Sequence, residues 1–438
     1  MKLRRTPIAD GCVLLAVGLA LFASGAALNL IGLNYSTDSA GAGLKLHPYT
    51  LLTATAFAML AVGPHAFRRT WPSTRFRIAA LGAGVTCTIL MLKWLQDDAQ
   101  SLGFAVDTLV AAFLLAAVLP FTSPRSARRM SAMITAFIAI ESVLAMLEAV
   151  AHTNLIPIDT WYGAYFRATA LHGHPLNNAL ILVTLALCQQ TGARPTVSVA
   201  IFALTVGALT AFGARGALAV YLLVNALTFA RRGLTSAGRL ATFIAGFVLC
   251  TGGIAWLMLS GAVGTRIAQV GAYDDSAAVR VRSVELIRQL DLWRLMAGSH
   301  SADIGRLMSR ADVGVIENFL VAYLLAFGAA ATLAIAWLVF ATFRRLTADI
   351  PRRARTRHTL VLLAFVAVAL TNNSLMTKTP ALFLLIAGAW CARARLLDAS
   401  AFRPASTVVP APFGAPAATR PTGRRPAPGT YRFRQGDT

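Results

Sequence analysis

The chain has 438 residues, with 40 Lys and Arg against 18 Asp and Glu, a formal charge of +22. Hydrophobic residues make up 57% and charged residues 13%, and the mean hydropathy is +0.64. A soluble domain carries about 25% charged residues, so this chain lacks the polar groups to cover a water-facing surface. That excludes an ordinary nucleic-acid-binding protein, a coiled coil and a disordered chain. It predicts an all-α polytopic membrane protein.

A membrane span needs about 20 mostly apolar residues. Behind Met1-Lys2-Leu3-Arg4-Arg5 comes an apolar run over 8–32, read as a retained first span because no small-x-small cleavage site follows it. Further runs follow at 47–66, 78–95, 103–121, 131–151, 175–192, 196–213, 216–230, 240–260, 315–342, 359–376 and 380–397, giving about twelve spans. The connections at 191–195 and 213–216 are tight turns. The stretch 261–314 is too polar to span and is expected to be a large, partly helical outer loop. The organisation expected is therefore nine spans in 1–260, the loop in 261–314, three spans in 315–397 and a basic tail in 398–438. The tail is rich in Pro, Ala and Arg, lacks a hydrophobic period and reads as disordered.

The charges follow this scheme. If the N-terminus is inside, alternate loops carry Arg68, Arg69, Arg75 and Arg77, then Arg125, Arg128 and Arg129, then Arg194, then Arg231, Arg232 and Arg239, then Arg344 through Arg357, then the tail from Arg393. The inner side collects 28 basic residues and 4 acids; the remainder has 12 and 14. The positive-inside rule thus predicts twelve spans with both termini cytoplasmic. No internal repeat is evident, which weighs against a secondary transporter built of paired halves. The five cysteines share no metal or redox spacing and read as small buried hydrophobes.

The informative residues are the basic ones outside. The loop 261–313 holds Arg266, Arg280, Arg282, Arg288, Arg294, Arg306 and Arg310, and 277–296 has helical spacing, with Val281, Val284, Ile287 and Leu290 along one side. Arginine presents a planar fork that matches phosphate or carboxylate. Capture of an anionic substrate at the outer surface is one reading. A soluble cap laced by ion pairs, such as Arg280 and Arg282 with Glu285, or Arg288 with Asp291 and Arg294, is the other. Arg215 stands between Gly213 and Gly216 in a turn, either snorkelling at a helix end or approachable by a ligand.

The outer segment after the fifth span holds Trp161, Tyr162, Tyr165, Phe166 and Arg167, then His172, His174, Asn177 and Asn178. It suits interface anchoring or sugar stacking; two histidines without a third ligand make a poor metal site. Glu317 and Asn318 open the tenth span. A carboxylate there suits either the helix macrodipole or a general base facing an outer cavity. Asp107, Glu141 and Glu148 lie within apolar runs, where an acid either serves function or pairs with a neighbouring helix.

Taken in order, these features resemble the O-antigen ligase and Wzy-type polysaccharide polymerase superfamily. Arg167 to Asn178 is similar to its Arg…Gly-x-Pro-Asn stretch. Thr210 to Gly216 is similar to its serine-arginine-glycine turn, with Ala214 at the serine. Val279 to Arg282, followed by Ile287 and Trp293, is similar to the arginine-bearing helix of its long outer loop. Ile316 to Leu320, continuing to Phe327-Gly328, is similar to its histidine-asparagine entry into a span, with Glu317 at the histidine. The family's glycine-rich step before that point is reduced to Gly298 within 297–301. The resemblance covers about 160–340.

The resemblance implies a glycosyltransferase at the periplasmic face of the bacterial inner membrane, using a glycan on undecaprenyl diphosphate without metal, nucleotide sugar or other cofactor. It implies Glu317, Arg215 and Arg280 as catalytic. Arg282, Arg167, Asn177, His174, Asn318 and Arg266 become substrate contacts. Glu317 would be the base, and the arginines would hold the diphosphate. The acceptor is a second lipid-linked repeat unit of an exopolysaccharide or O-antigen for a polymerase, or lipid A core for a ligase. A flippase for lipid-linked sugars and a non-catalytic scaffold among other polysaccharide export proteins are readings of other classes. The partners expected are the lipid-linked glycan, the bilayer and such export proteins, with no nucleic acid.

Overall fold

The computed structural model describes residues 7–33, 35, 45–62, 68, 70–97, 102–156, 166–233 and 275–401, with isolated positions 238, 241, 244, 245, 248 and 252 between them. The expected span at 240–260, the loop to 274 with Arg266, the aromatics at 161–165 and the tail beyond 401 lie outside the described residues. So does the Arg280 side chain.

Among the described residues the chain is helical, without strands. In chain order the helices are α1 Pro7–Phe22, α2 Gly25–Leu30, α3 Pro48–Ala61, α4 Thr74–Asp97, α5 Gly103–Phe121, α6 Pro124–Ala151, α7 Pro175–Gln190, α8 Pro195–Ala211, α9 Arg215–Gly233, α10 Asp275–Arg288, α11 Leu292–Ala297, α12 Ser301–Arg310, α13 Phe319–Leu346, α14 Arg352–Leu370 and α15 Ala381–Ala401. Their starts follow local chemistry. Pro48, Pro124, Pro175 and Pro195 occupy first turns, where the missing N–H costs nothing. Ser24, Ser123, Asp291 and Asn318 cap their helices with side-chain oxygens.

Among the described residues, four helices are long and apolar enough to cross a membrane: Thr74–Gln96, Gly103–Phe121, Pro124–Ala151 and Phe319–Leu346. α1, α3, α8 and the apolar part of α9 are shorter. The first predicted span, 8–32, is broken at Ala23–Ser24 into α1 and α2, because Ser24 turns its hydroxyl to the Ala27 N–H.

α6 shows how burial is arranged. Ile140, Val143, Leu147 and Val150 form an exposed apolar stripe, while Glu141, Ser142 and Glu148 are buried on the opposite side. That inverts the pattern of a soluble amphipathic helix and suits a hydrocarbon surround. The centre is α7, where every residue except Leu176 is buried, with α15 against it. At Gly388 an added Cβ would lie 3.1 Å from the Cys188 sulfur, so the two helices meet at a small residue. α5 lies between α3 and α4, and α6 packs on α1 and α8.

The segment 275–310 folds as three helices upon the start of α13. Leu286, Leu307, Val321 and Leu325 make a second, small core beneath it. α13 itself bends at Gly328, whose φ is +78°. A Cβ there would stand 2.3 Å from the Met296 carbonyl oxygen, and one at Gly298 (φ +88°) 2.6 Å from the Ala326 oxygen. Two glycines thus let the backbones of α11 and α13 touch.

Candidate functional site

The bundle has two chemically different ends. At one, Asp349 bridges Arg75 (3.0 Å) and Arg393, and Arg393 covers the Trp390 ring. Arg395 reaches into the bundle to Ser131, Gln189 and the carbonyls of Cys188 and Thr191. The other end holds the residues that the sequence singled out.

There the loop 166–174 is shaped by two glutamates from α6. The Glu148 carboxylate accepts the N–H groups of Leu155 (2.9 Å), Thr169 (2.6 Å) and Ala170 (2.8 Å); Glu141 accepts that of Leu171 at 3.2 Å. These acids satisfy a buried loop that no secondary structure could satisfy. They also hold Ala170 at φ +38°, beside Gly173 at +72°. From this loop Arg167 donates Nε to the Phe212 carbonyl at 3.0 Å, and the Ala168 N–H bonds Ala211 at 3.2 Å. The Arg167 segment and the turn before Arg215 are therefore one unit. Gly213, at φ +61°, makes that turn, and Arg215 opens α9 half-buried.

The expected eleventh span, 359–376, stops as a helix at Leu370, because Thr371, Asn372 and Asn373 turn the chain. The segment 371–380 that follows ties this unit to the rest. Thr371 packs on Gly216, and the Asn372 carbonyl accepts the Phe319 N–H at 3.1 Å. Asn177 donates Nδ2 to the Thr377 hydroxyl at 3.4 Å, and the Thr108 hydroxyl donates to the Thr377 carbonyl at 3.0 Å. Lys378 donates to the Lys45 carbonyl at 3.1 Å and lies over the Tyr35 ring. The strap thus touches the starts of α7, α9 and α13, each of which carries a predicted site residue.

Beneath Lys378 is Asp107, buried in a π-turn of α5 (Val106–Val110). Its carboxylate accepts the Tyr35 hydroxyl (2.5 Å), the Thr50 hydroxyl (2.6 Å) and the His47 N–H (3.1 Å). Such fully bonded buried carboxylates hold chain segments in place, and a π-turn commonly marks a functional position. Beside it is a polar recess lined by Ser24, His47, His172, Asn177, Lys378 and Thr379, with room for about one water molecule. His172 Nε2 and Asn177 Oδ1 are buried there without a hydrogen-bond partner. Burial, and secondarily the Arg167 charge, push His174 down to about 4. Burial and then the His47 charge do the same to His172, against a bond to Leu21. Both rings are neutral at pH 7, suited to hydrogen bonding.

Other expected site residues are placed as follows. Glu317 is half-buried just before α13. Asn318 caps that helix, its Oδ1 taking the N–H groups of Leu320 and Val321. Arg282, on α10, pairs with Asp312 at 3.4 Å, not with Glu285. Arg294 joins Asp291 and Asp303, and Arg306 joins Asp303, so the cap is laced by ion pairs. Arg280 lies on α10 by its backbone. Asn177, the start of α9 and the entry of α13 at Asn318 thus border one strap, Arg167 joins them through the turn before α9, and Arg282 is held on the cap. Among the described residues no three His, Cys, Asp or Glu side chains converge as a metal ligand set would.

The strap and Lys378 were missed as site elements, whereas Asp107 was among the intramembrane acids expected to serve function or to pair with a neighbouring helix. A signal existed: Thr-Asn-Asn-Ser and Thr-Lys-Thr-Pro interrupt two apolar runs within 371–380, a polar density unneeded by a plain connection. Set against known proteins, the chain matches no family model and no curated protein.

Proposed function

We propose that the chain is an inner-membrane glycosyltransferase that polymerises undecaprenyl-diphosphate-linked repeat units at the periplasmic face, in the manner of the superfamily it resembles. The supporting observation is that the strap 371–380 meets Asn177, Gly216 beside Arg215 and Phe319 beside the Glu317–Asn318 entry of α13, while Arg167 is tied to the same turn through Phe212. Lys378 adds a cation to the same strap. The buried acids of this end, Asp107, Glu141 and Glu148, accept backbone N–H and hydroxyl groups, so they hold the scaffold that carries the cations.

In this reading a sugar hydroxyl of the acceptor attacks the anomeric carbon of the donor. Glu317 takes the hydroxyl proton, the anomeric C–O bond to the diphosphate breaks, and its electron pair leaves with undecaprenyl diphosphate. Arg215 and Arg280 stabilise the charge on that leaving group. Arg167, Asn177, His174, Asn318, Arg282 and Arg266 contact the glycan or its diphosphate. The basic end, with Arg75, Arg345, Arg393 and Arg395, faces the cytoplasm as the positive-inside rule requires.

The test is the lipid-linked glycan pool of strains carrying the chain, a deletion, Arg215→Ala or Glu317→Gln at equal protein levels. The expected result is accumulation of single repeat units in the deletion and both variants. Long unattached chains would replace the reading by ligase, and units stranded in the cytoplasm by flippase. Full-length polymer from both variants would overturn the catalytic assignment.

A further inference from the structure

The cap helix α11 presents a surface that water does not suit. None of its residues is buried, and it begins with two large apolar side chains, Leu292 at 75% and Trp293 at 77% exposure. Met296, one turn on, is also exposed. The neighbouring helix α12 behaves differently, turning Leu307, Ile304 and Met308 into the small core on α13. The polar side of α11 is already occupied, since Arg294 binds Asp291 and Asp303.

The height of α11 along the bundle follows from three contacts. α13 is two helical pieces meeting at Gly328, and the piece after the bend, 329–346, spans about 27 Å at 1.5 Å per residue. That is close to the thickness of a hydrocarbon core, about 30 Å, and the piece ends in Arg344 and Arg345. Gly328 therefore marks the opposite boundary of the bilayer. α11 is bound at that level, through the Gly298–Gly328 contact and the Ser299 N–H to the Leu325 carbonyl at 2.8 Å. Lys93, near the end of the apolar stretch Thr74–Gln96, donates to the Ser299 carbonyl at 2.5 Å. Around Lys93, α4 exposes Met91, Leu92, Trp94 and Leu95, so the outer apolar surface of the bundle runs up to the level of α11.

We infer that α11 lies in the lipid–water interface of the outer leaflet, with Leu292 and Trp293 inserted among the lipids. Tryptophan favours this depth, and a short apolar helix lying flat gains from burying its face at the acyl boundary. The cap is then a membrane-seated element and not a water-borne lid. This inference goes beyond the catalytic reading and rests on its membrane placement alone.

Full-length protein would be reconstituted in nanodiscs of phosphatidylcholine or its 6,7-dibromo form. The Trp293 signal is the difference between the chain and Trp293→Phe, and the Trp94 signal that with Trp94→Phe. The expected result is that the Trp293 signal loses most of its intensity in the brominated bilayer and little to aqueous iodide, as Trp94 does. Quenching of Trp293 by iodide alone would place α11 in water, and indifference to both quenchers would place it under protein; either overturns the inference. If Trp94 also ignores bromine, the membrane placement itself fails. Quenching of Trp94 but not Trp293 sinks the cap inference alone.

Discussion

The two ends of the bundle use charge in opposite ways. At the basic end a half-exposed carboxylate, Asp349, is held between guanidinium groups, and a half-buried guanidinium, Arg395, is surrounded by carbonyls. At the other end buried carboxylates are surrounded by backbone N–H groups and hydroxyls. The first arrangement joins side chains of α4 and α15 to the connection after α13. The second forces an irregular loop into one shape. The lesson is that an acid buried in an apolar bundle can shape a loop through that loop's N–H groups alone, with no cation paired to it among the described residues.

The sharpest way to break this comparison is Glu148→Ala. It strips the partner from three N–H groups, and an unsatisfied buried donor costs about 1–3 kcal/mol. A loss of about 3 kcal/mol or more is expected in denaturant unfolding of the purified protein, with loss of the Arg167 loop. If stability stayed within 1 kcal/mol, the loop would not depend on Glu148. Gly328→Ala comes next. With φ +78° and ψ 168°, a conformation open essentially to glycine, the backbone alone costs about 1–3 kcal/mol, and the clash with the Met296 carbonyl adds to it. A fall of about 2 kcal/mol or more is expected, with faster proteolysis of 282–316 as the cap loosens.

The smallest effect belongs to the basic end. Partial burial raises the Asp349 carboxyl, but the bond to Arg393 and the charges of Arg393 and Arg75 outweigh it and bring it down to about 2. A carboxylate held below its ordinary value stabilises the fold fully above the unfolded value of about 4. That stabilisation fades as the pH falls through the folded value. Asp349→Asn should therefore cost no more than about 1 kcal/mol at pH 7, because the carboxylate itself is open to solvent, which screens the pair. The difference between the chain and this variant should vanish as pH drops from 4 toward 2. A difference unchanged at low pH would show that Asp349 acts through packing.

Much of the architecture could be read in advance. The runs around 78–95, 103–121 and 131–151 each became a helix long enough to cross a bilayer, because twenty apolar residues leave a chain no cheaper way to satisfy its backbone. Arg167 and the turn at 213–216 stood out in the sequence through glycines and arginines placed where a span should end. Their union was not, since the Arg167–Phe212 bond joins residues 45 apart. Glu148 looked like an intramembrane acid seeking a role, and its three N–H partners come from a loop whose own sequence has no period. The break between α1 and α2 was hidden because Ser24 sits inside a mostly apolar run.

The amino-acid sequence by itself determined the class, the helical elements and the asymmetry of charge, because hydropathy and the cost of burying a charge act locally along the chain. The tertiary structure alone decided which ends meet. It brought 371–380 against three helix starts, put Lys378 above Asp107, and bent α13 so that α11 could seat against Gly328. Those outcomes depend on side chains and backbone atoms far apart in sequence finding hydrogen-bond partners in an interior without water, and no local pattern records such a choice.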